Sequence, residues 1–178
     1  MSEEEIRFIE SHINEDSYML EYGCGGSTLH FSNYVKGYCS IESSREWFEK
    51  VKSKPDNNAT MILIPPKAHE DVIRVSEREE RESPDYCWDN LFNSSFYKIF
   101  EDYVNAHQAF EVDKLDAILI DGRARQHCAK AVYDIIDKEA VVFMHDFFPR
   151  KPYHIVLEKY KMIGQVTTGQ TLVALKKI

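Results

Sequence analysis

Asp121-Gly122-Arg123 follows an apolar run ending at Ile120, and His145-Asp146 follows one ending at Met144. Carboxylates and an imidazole at such places can take a proton from a hydroxyl nucleophile. Asp121 and Asp146 offer the oxygen ligands that Mg2+ or Mn2+ favours, and His145 adds a nitrogen that suits Mn2+ or Fe2+. The simpler alternative is that Asp121 only positions a ligand and His145-Asp146 caps a loop. A second group lies earlier, in Glu21-Tyr22-Gly23-Cys24-Gly25-Gly26-Ser27-Thr28. Glycines let a backbone come within contact distance of a ligand, and the helix start that follows offers free N–H groups. Glu42 stands 19 residues after Gly23. A carboxylate there can accept hydrogen bonds from both ribose hydroxyls of an adenosine cofactor. The dinucleotide pattern G-x-G-x-x-G/A is only partly met, because Thr28 stands at its third place. A purely structural glycine turn is the remaining reading.

These residues need a scaffold, and the chain's patterning describes one. Short apolar runs alternate with amphipathic stretches, the signature of an α/β fold with a mainly parallel sheet. Ser2 and Glu5 have capping-box spacing for an opening helix, with Ile6, Ile9 and Ile13 on one face. Strands are predicted at Tyr18–Glu21, Tyr38–Ile41, Thr60–Ile64, Leu115–Ile120 and Ala140–Met144. Helices are predicted over Thr28–Val35, after Ser43 and Glu46 (again at capping-box spacing) with Trp47, Phe48 and Val51, and near 93–109. Cys128, Ala131, Val132 and Ile135 mark another helix face, and Pro152 suits the first turn of a last helix. Gln165–Thr167 and Thr171–Leu175, separated by Thr168-Gly169-Gln170, read as a closing β-hairpin. In such sheets ligands sit beyond the C-terminal strand ends, and neighbouring strands lie roughly 5 Å apart. Asp121 and His145-Asp146 are thereby expected to share one ligand.

Glu21, two residues ahead of the first glycine, completes a pattern E/D-x-G-x-G that resembles motif I of the class I S-adenosylmethionine-dependent methyltransferases. The resemblance extends over nearly the whole chain, since that family has a Rossmann-like, seven-stranded, mainly parallel sheet with helices on both faces and an antiparallel hairpin at its end. It implies that Glu21, Gly23, Gly25 and Ser27 lie along the methionine part of the cofactor, that Glu42 binds the ribose, and that Asp121 faces the methyl group. The family often places a polar adenine contact after the third strand, where this chain has Pro65-Pro66. Trp88 or Asp89 is the expected substitute. The pairing I-D-G and H-D is similar to small-molecule O-methyltransferases of the macrocin and catechol type. That resemblance implies methylation of a small-molecule hydroxyl, with Asp121 or His145 as general base, or Mg2+ or Mn2+ held by Asp121 and Asp146. Catechol enzymes carry Asp-Asn after the fifth strand, where this chain carries His-Asp. No Asn/Asp-Pro-Pro-Tyr motif, typical of amino-group methylation, follows the fourth strand. Rival readings are an NAD- or nucleotide-sugar-binding enzyme and a non-catalytic cofactor-binding protein.

Composition bounds these readings. A chain of 178 residues has room for about one domain, here taken as 1–178. Hydrophobic residues at 43% and charged residues at 29% are ordinary globular usage. The longest apolar runs, Met61–Ile64 and Ala140–Met144, fall far short of a membrane span, and the acidic first residues cannot form a signal peptide. A cytoplasmic protein without membrane attachment is expected. Residues 1–90 hold 10 Lys+Arg against 19 Asp+Glu, which disfavours non-specific nucleic-acid binding. Arg123, Arg125, His127, Lys130, Arg150 and Lys151 flank the two strand tips and suit an anionic acceptor. Cys24, Cys39, Cys87 and Cys128 have no metal-finger spacing and read as free thiols. Residues 65–92 form a long polar segment, a helix, a strand or a lid over the cofactor mouth, with Tyr86 and Trp88 as candidate ligand-facing aromatics and Glu77–Glu82 as a solvated face.

Overall fold

The computed structural model describes residues 1–112, 114–168 and 171–178. In chain order its elements are α1 (Glu3–Glu10), β1 (Tyr18–Tyr22), α2 (Gly26–Phe31), β2 (Gly37–Glu42), α3 (Arg45–Lys52), β3 (Thr60–Leu63), α4 (Glu70–Glu82), α5 (Ser95–Asn105), β4 (Ala117–Ile120), α6 (Arg125–Tyr133), β5 (Val141–His145), a run of 3-10 turns at Lys151–Glu158, β6 (Tyr160–Val166) and β7 (Leu172–Lys177). The strands form one seven-stranded sheet in the order β3-β2-β1-β4-β5-β7-β6. Strands β1 to β5 run parallel, and β7 joins β5 and β6 antiparallel. The expected α/β sheet with a terminal hairpin is therefore the observed one. Within the hairpin turn, Gly169 and Gln170 lie outside the described residues.

Strand periodicity sorts the core into two layers. Ala117 and Leu119 of β4, Val141 and Phe143 of β5 and Met19 of β1 pack under α1 and α2, against Ile9, Ile13 and Phe31. Ile118, Ile120, Val142, Met144, Leu20 and Tyr22 face the other way, onto α5 and α6 through Phe100, Tyr103, Cys128 and Val132. Side chains two apart share a sheet face. Glu21, Asp121 and His145 therefore all belong to the α1 side. In register, Glu21 of β1 pairs Leu119 of β4, and Ile120 of β4 pairs Met144 of β5.

Several local expectations are corrected. The N-cap of α3 is Ser44, whose hydroxyl accepts from the Trp47 N–H, while the Ser43 hydroxyl turns to Glu42. Phe48 and Val51 are buried as expected, whereas Trp47 is exposed. Helix α2 spans Gly26–Phe31, short of the expected Val35. Ile135 lies beyond the end of α6 and is exposed, while Ala129 joins Cys128 and Val132 inside. The stretch after Pro152 is 3-10, not α-helical. The long polar segment, residues 65–92, contains helix α4 over Glu70–Glu82 and no strand. Its inward stripe is Ile73, Ser76 and Glu80, and Val72 and Val75 point to solvent. Glu80 sets this facing: its carboxylate accepts from Gln126 Nε2 at 3.0 Å and meets His127 Nε2 at 2.9 Å on α6. The charge run is thus not wholly solvated, since Glu80 is buried within it.

Candidate functional site

A cleft of about 1080 Å³ lies beyond the C-terminal ends of β1, β2 and β4. The order β2-β1-β4-β5 makes the β1–β4 boundary the topological switch point, where ligands of doubly wound sheets bind. Its volume suits a cofactor with an acceptor beside it, since ligand pockets span about 300–1,000 Å³.

The glycine turn forms its floor, and Glu21 holds that turn in shape. Glu21 is buried, and its carboxylate accepts from the hydroxyls of Ser27 and Thr28, both at 2.5 Å. Thr28 Oγ1 also accepts the Gly25 N–H at 2.9 Å, so the residue at the third glycine place braces the turn. Burial pushes the Glu21 carboxyl up to about 7, against the pull of the two hydroxyls. Gly23 sits at φ +104, and a Cβ there would meet the Gly122 amide nitrogen at 2.9 Å. Gly25 and Gly26 are different: a Cβ on either would meet nothing within 4 Å. Packing does not require glycine at these two places, and the bare backbone leaves the floor open to a ligand. Cys24 is no nucleophile, because burial and the nearby Glu42 raise its thiol above the usual range.

Glu42 ends β2 at the edge of the cleft. Its Oε2 accepts the Cys24 N–H at 2.7 Å, and its Oε1 accepts the Ser43 and Ser44 N–H groups, each at 2.7 Å. One carboxylate thus ties the glycine turn to the start of α3. Trp47 lines the cleft on the same side. Trp88 does not: it is buried against Tyr133 and Tyr160, at ring separations of 5.6 and 6.0 Å, and Lys130 Nζ donates to its carbonyl. The expectation of Trp88 as an adenine contact is therefore corrected by its packing. Asp89, whose carbonyl also accepts from Lys130, is not a lining residue either. Tyr86 packs the segment onto the body, its hydroxyl donating to the Pro152 carbonyl at 2.7 Å.

At the other end, Asp121 lines the cleft, and His145 stands behind it. His145 Nδ1 is 3.0 Å from Asp121 Oδ1, and Nε2 is 3.2 Å from Oε1 of the buried Glu5. Burial lowers the imidazole's pKa, but contact with Asp121 and the charges of Asp121, Glu5 and Asp146 outweigh it and leave the value raised. Glu5 was read in sequence only as a helix cap, and it fills that role too, with Oε2 accepting the Ser2 N–H at 2.7 Å.

Ligand atoms of Asp121, His145 and Asp146 lie within 4.8 Å of one another, a donor set that suits a hard divalent cation. Arg125, however, stands inside that set. Its Nη2 is 3.3 Å from Asp121 Oδ1 and 3.2 Å from Asp146 Oδ2. A guanidinium between both carboxylates puts a fixed positive charge where a divalent cation would stand, and like-charge repulsion at that distance makes the residues a poor fit for one. Of the other basic residues, Arg123 pairs with Glu70 at 3.1 and 3.2 Å, and Arg150, half exposed, lines the cleft mouth. Lys130 and His127 point away into packing and the Glu80 contact.

No protein-family model matches the chain, and no curated protein does. Solved structures do. A methyltransferase-like protein from Silicibacter pomeroyi DSS-3 is similar with a TM-score of 0.66 and 21% identity, over 99% of this chain and 87% of that one. A TehB-like SAM-dependent methyltransferase from Corynebacterium glutamicum is similar with a TM-score of 0.55 and 11% identity, over 97% and 86%. A candidate methyltransferase from Streptococcus mutans, solved in complex with SAH, is similar with a TM-score of 0.56 and 10% identity over the whole of both chains. Among the described residues no helix is long and apolar enough to cross a membrane. The fold is that of the Rossmann-like methyltransferases.

Proposed function

We propose that the chain is an S-adenosylmethionine-dependent methyltransferase acting on the hydroxyl oxygen of a small, anionic acceptor. One observation carries this reading: a single cleft joins the open glycine floor and Glu42 to Asp121. Gly23, Gly25 and Ser27 border the methionine part, and Glu42 exchanges backbone N–H contacts for the ribose hydroxyls. Trp47 offers the adenine an aromatic face in place of Trp88. Oxygen rather than nitrogen rests on the resemblance at the two strand tips.

Bound S-adenosylmethionine supplies an electrophilic sulfonium methyl group. Asp121 faces the acceptor hydroxyl and takes its proton as the oxygen attacks the methyl carbon. The carbon–sulfur bond breaks, and its electron pair stays on sulfur. His145, behind Asp121, holds that carboxylate in line and balances its charge. Arg150 at the mouth pairs with the acceptor's own negative charge. Nothing in this scheme passes through a divalent cation.

Calorimetric titration with S-adenosylhomocysteine and, in parallel, NAD tests the cofactor. Micromolar binding of S-adenosylhomocysteine alone is expected, weakened in Glu42→Ala by about 1.5–3 kcal/mol, the range for hydrogen bonds to a charged group. Binding of NAD instead, or of neither, overturns the reading. Asp121→Ala separates an enzyme from a passive cofactor-binding protein, since it should keep S-adenosylhomocysteine binding and lose turnover.

A further inference from the structure

Arg125 is the cleft's buried cation. Its Nε donates to the Gly122 carbonyl at 2.9 Å and its Nη1 to the His145 carbonyl at 2.5 Å. Its Nη2 bridges Asp121 and Asp146. The side chain is 9% exposed, and the Tyr153 ring covers it at 5.6 Å. These contacts span the tips of β4 and β5 together, so the planar fork is fixed from both strands. Asp146 sits at φ +54, in the left-handed region that aspartate enters more readily than most non-glycine residues. That conformation accompanies a carboxylate turned back onto Arg125.

We propose that Arg125 is the resident cation of this site. Its guanidinium takes the place between Asp121 and Asp146 that a divalent ion would need, and it does the electrostatic work such an ion would do. It offsets part of the negative charge of the two carboxylates and keeps a fixed positive charge between the tips of β4 and β5. A divalent ion entering the set would have to displace the fork or stand against its charge. The chain accordingly binds neither Mg2+ nor Mn2+ at these residues, and removing the guanidinium opens a one-histidine, two-carboxylate site to them. The inference concerns the charge arrangement alone and does not depend on which cofactor fills the glycine turn.

The experiment is titration of the full chain with Mn2+, read by loss of the free-ion electron paramagnetic resonance signal. Wild type should leave the signal unchanged up to millimolar ion. Arg125→Ala should take up one ion per chain at least tenfold more tightly than wild type, and the added substitution Asp146→Asn should abolish the gain. Circular dichroism checks folding. If Arg125→Ala does not fold, Arg125→Gln, which keeps donors for the two carbonyl oxygens, replaces it with the same expected gain. Micromolar Mn2+ binding by wild type that is lost in Asp146→Asn would overturn the proposal. So would a folded Arg125 variant that binds no better than wild type. No S-adenosyl compound enters the assay, so its failure is distinct from failure of the methyltransferase reading.

Discussion

Glu5 and His145, 140 residues apart in sequence, face each other at 3.2 Å where α1 crosses the tip of β5. Both are almost wholly buried, and Glu5 Oε1 and His145 Nε2 have no hydrogen-bond partner among the described residues, so their contact is one of charge. A histidine between two carboxylates, one in the core and one on the cleft, gains a proton more readily than a free imidazole. With its folded-state value raised above 6.5, its contribution to stability is fully present below about pH 6.5 and is lost as pH rises through the folded value. Glu5→Gln isolates the charge, because glutamine at this helix position still serves the capping box. The His145 titration midpoint, followed by NMR, should fall in Glu5→Gln, and the loss of stability above neutrality should weaken. An unchanged midpoint would mean the two residues are not coupled.

Glu21 carries a second pH dependence, in a lower window. Its carboxyl is raised from 4.5 to about 7 by burial. The folded state therefore keeps a proton that the unfolded chain has released, and stability from this group falls as pH rises from about 4.5 to 7. The linked change is about 3 kcal/mol. Urea unfolding across this window should show a flatter slope for Glu21→Gln than for wild type. Parallel slopes would place the titration elsewhere.

The glycines of the turn divide into two kinds, and alanine should separate them. Gly23→Ala forces a side chain into φ +104 and against the Gly122 backbone, at a cost of about 1–3 kcal/mol. Gly25→Ala adds a methyl group to an extended residue with open space around it. Its stability should stay within about 0.5 kcal/mol of wild type, while its affinity for S-adenosylhomocysteine drops. Thermal unfolding and calorimetry on the two variants measure both effects. A destabilised Gly25→Ala, or one that binds as wild type does, contradicts this division.

The two tryptophans report on different places. Trp47 is exposed on the cleft and Trp88 is buried outside it. S-adenosylhomocysteine should change the emission of the red-shifted Trp47 and leave Trp88 untouched. In Trp47→Phe the ligand response should vanish with the fold intact. Persistence of the response would return the adenine to the neighbourhood of Trp88.

Much of this arrangement is legible in the sequence because it is local or periodic. Fully apolar runs announce β4 and β5, and the acid-glycine spacing around Gly23 announces the floor of the cleft. What escapes a linear reading depends on partners far along the chain. Glu5 looks like a cap because its second partner is His145. Glu77–Glu82 looks like a solvated face, yet α4 turns Glu80 inward because it meets Gln126 and His127 on α6. Arg125 looks like one of several basic residues on a helix start, and only the meeting of two strand tips gives its fork two carbonyl acceptors and two carboxylate counter-charges. Trp47 faces the cleft and Trp88 does not, because burial, not residue type, decides which aromatic face is free.

Gly23 and Gly122 bring the two turns of the cleft into backbone contact, and a Cβ on Gly122 would collide with the Tyr103 hydroxyl as well. The floor is therefore one stiff piece anchored in the sheet, while the walls come from α4 and the turns at Lys151–Glu158, which pack on it through side chains. Wall residues such as Glu77, Arg150 and Tyr153 can therefore change without altering the distance between the glycine turn and Asp121.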